Sequence, residues 1–457
     1  MFDTIRRWMG FAPVDFAPQE AFQKLNTVAP LRSAPKDAPA ADAQGKPPFV
    51  CREAILNRSE RISGYEFAPE RRLPSRMLEK SARIRWVYDD IMLRNFASLG
   101  VSSLLGDRFA LIRISMDSLK NPVLETFSRL NAIVMIMPGA LAKVDLAGVQ
   151  ADLRRLKEIG IKHGWTLNRT QPEIVEFLQE ADFIEVEATA LDGVQLKTMC
   201  RSLRAIPGKP KLIASELQTS DDFNLCYQCG FDYLMGPFVS SRENWHPAKS
   251  EINRLRVFEV LNMIRGDAKL DAIADRLRTE PILTFKLLRY INSPGIGLLQ
   301  KVDEIPQALL VLGRDRFYRW LSLLLFDFNQ PGYRERVLSE QVLARARFME
   351  MLAGRGHVPA AADHLFMTGL FSLLDVMMEQ PLADVLKQVS LPDDVAAALN
   401  GEPGAMRDTL LLAITVESGT QDEMAFAATR CGLDAATVTG TMVEALVWAQ
   451  QVSAAGE

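Results

Sequence analysis

The fold of the first half of the chain is decided by the stretch KLIASELQTSDDFNLCYQCGFDYLMGPFV, residues 211–239. Two short apolar runs, KLIASEL and DYLMGPFV, flank the helix-length segment TSDDFNLCYQCG. Ser220 and Asp221 are typical of a helix start, and Gly230 is typical of a helix end. This strand–helix–strand order predicts parallel strands joined by crossover helices.

The same alternation extends upstream. Further predicted strands are FALIRIS (109–115), AIVMIMP (132–138) and FIEVEA (183–188). The segments PFVCREAIL and ISGYEF predict a hairpin-like start, with Asn57–Glu60 as its turn. The predicted helices are 146–160, 171–181 and 191–208. A β/α barrel and an open doubly wound sheet both fit this pattern, although about 195 residues is short for a full eight-fold barrel.

The second half of the chain has a different periodicity. From about residue 250, apolar residues recur at the i, i+3, i+4 and i+7 positions of helices, and Pro281 and Pro306 are typical of helix starts. We therefore predict an α/β domain followed by an all-α domain. The expected boundaries are a Pro- and Ala-rich tail and linker at 1–48, the α/β domain at 49–245 and the helical domain at 246–457.

The composition excludes several classes of protein. The chain has 457 residues, of which 48% are hydrophobic and 24% charged, as in globular proteins. A net charge of −4 and a pI of about 5.8 argue against bulk electrostatic binding to nucleic acid. Five irregularly spaced cysteines, no apolar run of membrane-spanning length and no secretory signal favour a cytoplasmic protein without a transmembrane segment.

Most familiar catalytic motifs are missing from the sequence. No GxxxxGK[ST], GxGxxG or GxSxG motif occurs. Four histidines are too few for most metal or triad sites, and we interpret His357 and His364 as structural. Cys226 and Cys229 form a lone CxxC near a helix end, which favours packing over zinc or redox chemistry. We expect no cofactor.

Carboxylates at strand ends are the remaining candidates, since barrel enzymes place their chemistry at the carboxyl ends of strands. They are Glu66, Glu185, Glu187 and Glu216. The neighbouring strand ends carry Arg113, Met135, Thr166 and Met235. A guanidinium and two thioethers beside carboxylates crowd or neutralise a site for a hard cation.

These residues give the chain its resemblance to a known pair of domains. The most specific segments are FVCREAILNRSERISGYEF (49–67), ADFIEVEATAL (181–191), the stretch 211–239 and LLRYINSPGIGLLQKVDEIPQALLVLGRDRFYRWLSLLLF (287–326). The first domain resembles an EAL domain, the β/α barrel that hydrolyses cyclic di-GMP. The second resembles an HDOD domain, an all-helical relative of metal-dependent HD phosphohydrolases that lacks their ligands. Together they resemble the EAL–HDOD bacterial signalling proteins over about residues 49–457.

The resemblance implies a degenerate active site. The signature Glu-Ala-Leu falls on Glu66-Phe67-Ala68, so only the glutamate is kept. The metal-binding asparagine falls on Arg113 and the next strand glutamate on Met135. The paired aspartates that anchor the metals fall on Thr166 and Leu167.

The later strands of the barrel depart from the family pattern in the same way. The lysine and aspartate of the KxD pattern fall on Glu185 and Glu187. The segment Glu-Gly-Val-Glu reads Ser215-Glu216-Leu217-Gln218, and the glutamine before the last Gly-Tyr falls on Met235. Divalent ions need several oxygen ligands at about 2.0–2.6 Å, and only Glu66 and Glu187 remain as plausible ligands. We therefore predict no bound metal and no phosphodiesterase activity.

The helical domain loses its metal ligands as well. The His-Asp dyad of HD enzymes falls on Leu374-Asp375, so the histidine is gone. We interpret Asn292 as a helix cap or a member of a buried hydrogen-bond network.

Three hypotheses follow. The first is a non-catalytic protein that acts through protein partners in cyclic di-GMP-linked control of motility or biofilm. The second is a receptor that binds cyclic di-GMP without hydrolysis; Arg113 can pair with a phosphate, but the lost polar residues argue against retained binding. The third is a residual metal-dependent phosphodiesterase that uses Glu66, Glu187 and Glu216.

Surfaces for partners are weakly marked in the sequence. Candidates are Trp8 and Phe11 in the tail and the helix RDRFYRW at 314–320. We interpret that helix as amphipathic, with solvated arginines and buried Phe317 and Trp320, and expect no nucleic-acid partner. The sequence leaves open whether the protein forms a homodimer.

Overall fold

The computed structural model describes residues 51–68, 80–98, 105–138, 145–167, 175–242, 252–292, 302, 304–326 and 333–454. The predicted tail at 1–48, with Trp8 and Phe11, lies outside these ranges, as does the predicted domain boundary at 245/246. Neither is tested, and both stay predictions. Among the described helices, none has the length and apolar character needed to span a bilayer.

The first half is a closed eight-stranded barrel in which neighbouring strands follow chain order. Its strands are β1 (Cys51–Asn57), β2 (Ile62–Ala68), β3 (Phe109–Ser115), β4 (Ala132–Met137), β5 (Lys162–Leu167), β6 (Phe183–Glu187), β7 (Lys211–Ser215) and β8 (Tyr233–Met235). The strand β1 runs antiparallel to β2 and β8, and the other pairs are parallel. The barrel prediction is confirmed, whereas the open sheet is wrong.

Two strands differ from the sequence-based prediction. The strand β5 was not among the predicted strands, because Lys162, His163 and Gly164 interrupt its apolar pattern; pairing with β4 and β6 fixes it as a strand. The strand β8 is shorter than predicted, since a 3-10 turn occupies Pro237–Ser240. Pro237 has no N–H to donate to a neighbouring strand, which is consistent with β8 ending before this residue.

Helices connect the strands. They are α1 (Ala82–Ser98), α2 (Leu146–Glu158), α3 (Val175–Leu178), α4 (Gly193–Arg204) and α5 (Ser220–Cys229). Thr219 forms a capping box with Asp222 at the start of α5, and Gly230 ends that helix in the left-handed conformation with φ of 97°. The helix predicted over 219–230 is thus confirmed.

The barrel interior, below the carboxyl ends of the parallel strands, is filled by a packed apolar cluster that we call the apolar floor. It is formed by Ile55, Phe109, Leu111, Ile133, Met135, Phe183, Ile213 and Met235, with Tyr233 against it. Gly164 is needed there, because a Cβ at this position would lie 2.6 Å from Met135 Sδ and 2.7 Å from Phe183 Cβ. The side chains therefore close the barrel at this level and leave only its carboxyl end for polar groups.

The second half is entirely helical over its described residues. Its helices are α6 (Ile252–Arg265), α7 (Leu270–Arg278), α8 (Pro281–Ile291), α9 (Ile305–Leu312), α10 (Arg314–Leu323), α11 (Tyr333–Gly354), α12 (Ala362–Phe371), α13 (Leu374–Met378), α14 (Leu382–Leu386), α15 (Asp393–Leu399), α16 (Ala405–Ser418), α17 (Gln421–Arg430) and α18 (Ala435–Ala454). Pro281 and Pro306 lie in first turns, as predicted.

The structure tests two interpretations in this half. Asn292 caps α8, donates to the carbonyls of Leu288 and Val302 and accepts from Val302 N, as predicted. In α10, Phe317 and Trp320 are buried, as predicted. The expectation that its arginines are all solvated is wrong for Arg319, whose side chain is 12% exposed and pairs with carboxylates.

Candidate functional site at the barrel mouth

Arg113 lies between two glutamates at the carboxyl end of the barrel. Its Nε donates to Glu66 Oε1 and its Nη1 donates to Glu185 Oε2. A third contact joins Nη2 to Glu66 Oε2 at 3.3 Å. Thr166 Oγ1 donates to Glu185 Oε2 at 2.9 Å and lies 3.5 Å from Arg113 Nη1. We call Glu66, Arg113, Thr166 and Glu185 the mouth cluster.

Strand alternation brings this cluster together. Side chains two residues apart on a strand share a face, and Arg113 follows the inward-facing Leu111 on β3 as Glu185 follows the inward-facing Phe183 on β6. Glu66 is opposite Leu111 in the β2–β3 register, and Thr166 is opposite Glu185 in the β5–β6 register. The four polar side chains therefore converge above the apolar floor.

Burial and charge set the protonation of the cluster. Burial raises the pKa of Glu66 above its ordinary value of 4.5, and Arg113 only partly offsets this. Burial also opposes the charge on Glu185, but Arg113, Ser215 and Thr166 outweigh it and lower the pKa of that carboxyl. Both carboxylates share the guanidinium of Arg113, but Glu185 also has hydrogen bonds from Ser215 and Thr166, so its charge is stabilised more fully than that of Glu66.

The mouth cluster does not suit a divalent cation. Magnesium and calcium require several converging oxygen ligands, whereas the carboxylates of Glu66 and Glu185 are both hydrogen-bonded to Arg113. The guanidinium of Arg113 is a fixed positive charge beside both carboxylates, and it repels a cation. Across the described residues, no group of three or more His, Cys, Asp or Glu side chains is arranged to hold a metal.

The other predicted site residues fall into two groups. Ser215 is buried and favours the charged form of Glu185, while Met135 and Met235 belong to the apolar floor. The second group is not among the four residues of the mouth cluster: Leu167 packs against the main core outside the barrel, and Glu187, Glu216 and Gln218 are exposed. Glu187 follows Glu185 by two residues on β6 and so shares its face of the strand, whereas Glu216 lies beyond the end of β7. That both join Glu66 at one site stays a prediction.

The candidate residues outside the barrel strands are either paired with a charged side chain or buried. Asp375 is buried and accepts from Arg242 Nε at 2.7 Å. His364 Nδ1 lies 2.7 Å from Asp394 Oδ2. Burial raises the pKa of Cys226 to about 12, which disfavours the reactive thiolate.

Sequence reasoning missed a second charged cluster, between the two halves of the molecule. Glu340 on α11 is buried and accepts from Arg52 Nη2 at 2.9 Å and from Arg108 Nη1 at 2.9 Å. Tyr65 also donates to Glu340. We call Glu340, Arg52, Arg108 and Tyr65 the interface cluster. Glu340 lies in an ordinary helical pattern, and no signal in the sequence marks it as a contact to the barrel.

Comparison with known proteins agrees with this division of the chain. Residues 255–390 match the model of the HDOD domain. The chain is 23% identical over 415 residues to the cyclic di-GMP phosphodiesterase CdgJ of Vibrio cholerae, covering 89% of this chain and 93% of the relative. It is 21% identical over 390 residues to the protein YuxH of Bacillus subtilis, covering 82% and 91%.

Among solved structures, the chain is similar to a standalone EAL protein from Vibrio cholerae O395 with c-di-GMP bound. That similarity has 14% identity and a TM-score of 0.36, and it covers 42% of this chain and 91% of the other. The residues that match the HDOD domain lie in the helical half and follow the eight-stranded barrel, so the chain carries an HDOD domain after a β/α barrel.

Proposed function

We propose that this protein is a non-catalytic regulator that acts through protein partners in cyclic di-GMP-linked signalling. The observation that carries the proposal is the position of Arg113, which is hydrogen-bonded to both Glu66 and Glu185. The resemblance to EAL domains places a metal-binding asparagine at Arg113. Metal-assisted phosphodiester hydrolysis needs an ion that activates water and polarises phosphate, and this cluster supplies it no free ligands.

The link to cyclic di-GMP rests on the EAL–HDOD arrangement and on the name of the curated relative CdgJ. That relative is named a phosphodiesterase, which favours hydrolysis as the alternative function. A receptor that binds cyclic di-GMP without hydrolysis is less well supported, because the guanidinium that would contact a phosphate is already paired.

An assay of the full chain with cyclic di-GMP and Mg²⁺ or Mn²⁺ separates these functions. We expect no linear dinucleotide and no heat of binding in titration calorimetry. Linear product that disappears in Glu66→Gln would establish the phosphodiesterase instead. Binding without product, lost in Arg113→Met, would establish the receptor.

Binding of protein partners is tested separately. The wild-type chain and Arg113→Met are used as baits for affinity purification, with Arg155→Met as a surface control. We expect one set of specifically retained proteins that all three variants share, because recognition does not use the mouth cluster. Absence of any saturable partner would contradict the proposal.

A further inference from the structure

The helix α1 exposes a row of apolar side chains. Ile84, Val87 and Ile91 are 51%, 44% and 50% exposed. Their i, i+3 and i+7 spacing places them on one face of the helix, along about 10 Å of its axis. We call these three residues the α1 stripe. Single exposed apolar residues are ordinary, whereas a row of them on one helix face is a candidate surface for another protein.

The opposite face of α1 is fixed against the barrel domain. Met92 and Phe96 are buried in the main core. Asp89, which is also buried, accepts hydrogen bonds from Ser115 Oγ and Ser118 Oγ, each at 2.6 Å. A rotation of α1 that buried the stripe would break these contacts, so the fold keeps the stripe exposed.

Positive charge lies along one edge of the stripe. Arg83 and Arg94 are about three helical turns apart, so both lie on the same side of α1. Arg94 Nε donates to Asp90 Oδ2 at 2.8 Å, and Asn121 donates to the same carboxylate at 3.0 Å. Lys120, which is exposed, directly precedes Asn121 and so lies near the same edge. Among the described residues, neither Arg83 nor Lys120 has an ion-pair partner. We call Arg83, Arg94 and Lys120 the basic edge.

The chemistry of this surface favours an acidic protein partner. A two-fold contact between antiparallel α1 helices of two copies would bring the two basic edges together, and like charges repel. A membrane surface is disfavoured as well, because the stripe is short and consists of Ile and Val, whereas membrane-surface helices bury Trp, Phe and Leu. Trp86, which is 39% exposed, lies beyond the basic edge and outside the stripe. An acidic amphipathic helix fits both features, since its apolar residues would cover the stripe and its carboxylates would pair with the basic edge.

We propose that α1 is the surface through which this regulator binds its protein partner, and that the partner contributes an acidic amphipathic helix. The apolar face of that helix packs against Ile84, Val87 and Ile91, and its carboxylates pair with Arg83 and Lys120. This assignment rests on the proposed function, because it names the surface and the chemistry of the partner that the function requires. The surface is on the outside of the barrel domain and contains no residue of the mouth cluster.

Fluorescence anisotropy of a labelled peptide tests the proposal with the full chain. The probe is a synthetic helix of about five turns, with leucines on one face and glutamates beside them. The matched control peptide has lysine in place of every glutamate. We expect the acidic peptide to bind with a Kd of about 10–100 µM and the basic peptide to bind at least about ten-fold more weakly. Vesicles of phosphatidylcholine and phosphatidylglycerol should not retain the protein in a sedimentation assay.

Three variants locate the contact. Val87→Asp puts a negative charge in the stripe and should weaken binding of the acidic peptide at least about ten-fold. Arg83→Glu should weaken binding of the acidic peptide and strengthen binding of the basic one. Val194→Asp, at a 78% exposed position on α4, should leave both affinities unchanged. All three changes are at exposed positions, and equal Tm values show that the variants are folded.

No binding of the acidic peptide, equal binding of the basic peptide, or equal losses in Val87→Asp and Val194→Asp would overturn the proposal. Retention by vesicles that Val87→Asp abolishes would assign the surface to a membrane instead. Affinity purification with Val87→Asp as bait separates this inference from the proposed function. Partners retained by both the wild type and Val87→Asp would refute the α1 surface and leave the proposed function standing. A wild-type chain that retains no partner would refute the proposed function itself.

Discussion

The mouth cluster and the interface cluster both consist of arginines and glutamates, but in opposite ratios. At the barrel mouth, one arginine is shared by two carboxylates, Glu66 and Glu185. Between the halves, one carboxylate is shared by two arginines, Arg52 and Arg108. The pKa of Glu66 is raised, since burial exceeds the help from its shared partner. The pKa of Glu340 is lowered, since its two cations and Tyr65 outweigh its burial.

This difference shows that burial alone does not set the charge of a carboxyl group. The opposite charges and the hydrogen-bond donors around it together decide whether desolvation or attraction prevails. The interface cluster therefore joins the barrel to the helices with a firmly ionised group. The mouth cluster carries one carboxyl that gives up its charge more readily.

The largest effect is expected from Glu340→Gln. The change removes the buried carboxylate that the partly buried Arg52 and Arg108 share, which should lower the free energy of unfolding by about 3 kcal/mol. Chemical denaturation at neutral pH measures it. Glu125→Gln, which breaks an exposed pair with Arg155, should cost less than about 1 kcal/mol. Equal costs would show that the interface cluster adds no more than a surface pair.

Arg113→Met should come next, at about 2 kcal/mol at neutral pH. The change leaves Glu66 and Glu185 facing each other without the guanidinium between them. Proton uptake by Glu66 limits the cost, because its pKa is already raised. Denaturation at neutral pH measures the loss, and a cost above that of Glu340→Gln would contradict the ordering of the two clusters.

Lowering the pH should change the stability losses of Glu340→Gln and Arg113→Met over different pH ranges. A lowered pKa in the folded state gives stability that is present above the ordinary carboxyl pKa of 4.5 and is lost as the pH falls through the lowered value. The cost of Glu340→Gln should therefore persist until the pH is below 4.5 and then fade. For Glu66 the shift is in the opposite direction: its pKa is raised, so as the pH falls it takes up its proton while the pH is still above 4.5.

The cost of Arg113→Met should accordingly begin to shrink while the pH is still above 4.5. Tm measured from pH 7 downward for the wild type and both variants checks this order. If the two costs fade over the same pH range, the assigned directions of the pKa shifts are wrong.

The smallest effects come from neutralising the two carboxyls of the mouth cluster singly. Glu185→Gln removes a carboxylate whose charge the fold favours and should cost about 1–2 kcal/mol. Glu66→Gln removes a charge that burial disfavours and should be close to neutral. Both variants are compared by denaturant unfolding, and the reverse order would refute the assignment of Glu185 as the firmly ionised partner.

Particular residues show how far sequence reasoning reached. Alternation in 109–115 and 183–188 placed Arg113 and Glu185 near strand ends, and the structure places both at the barrel mouth. The sequence also offered Glu187, which shares the strand face of Glu185 but is exposed, and Glu216, which lies beyond the end of β7. One residue decides whether a side chain near a strand end is inside or outside the barrel, and periodicity does not locate the end of a strand that closely.

The amino-acid sequence by itself determined the order of the elements, the change from strand–helix alternation to helices near residue 250, and the types of residue at the strand ends. These properties are local, since they depend on periodicity, caps and residue identity. Tertiary structure alone decided that the sheet closes into a barrel, that Arg113 bridges two glutamates, and that Glu340 joins the halves. Arg52 and Glu340 are 288 residues apart in the chain, and only folding brings such charges within reach of each other.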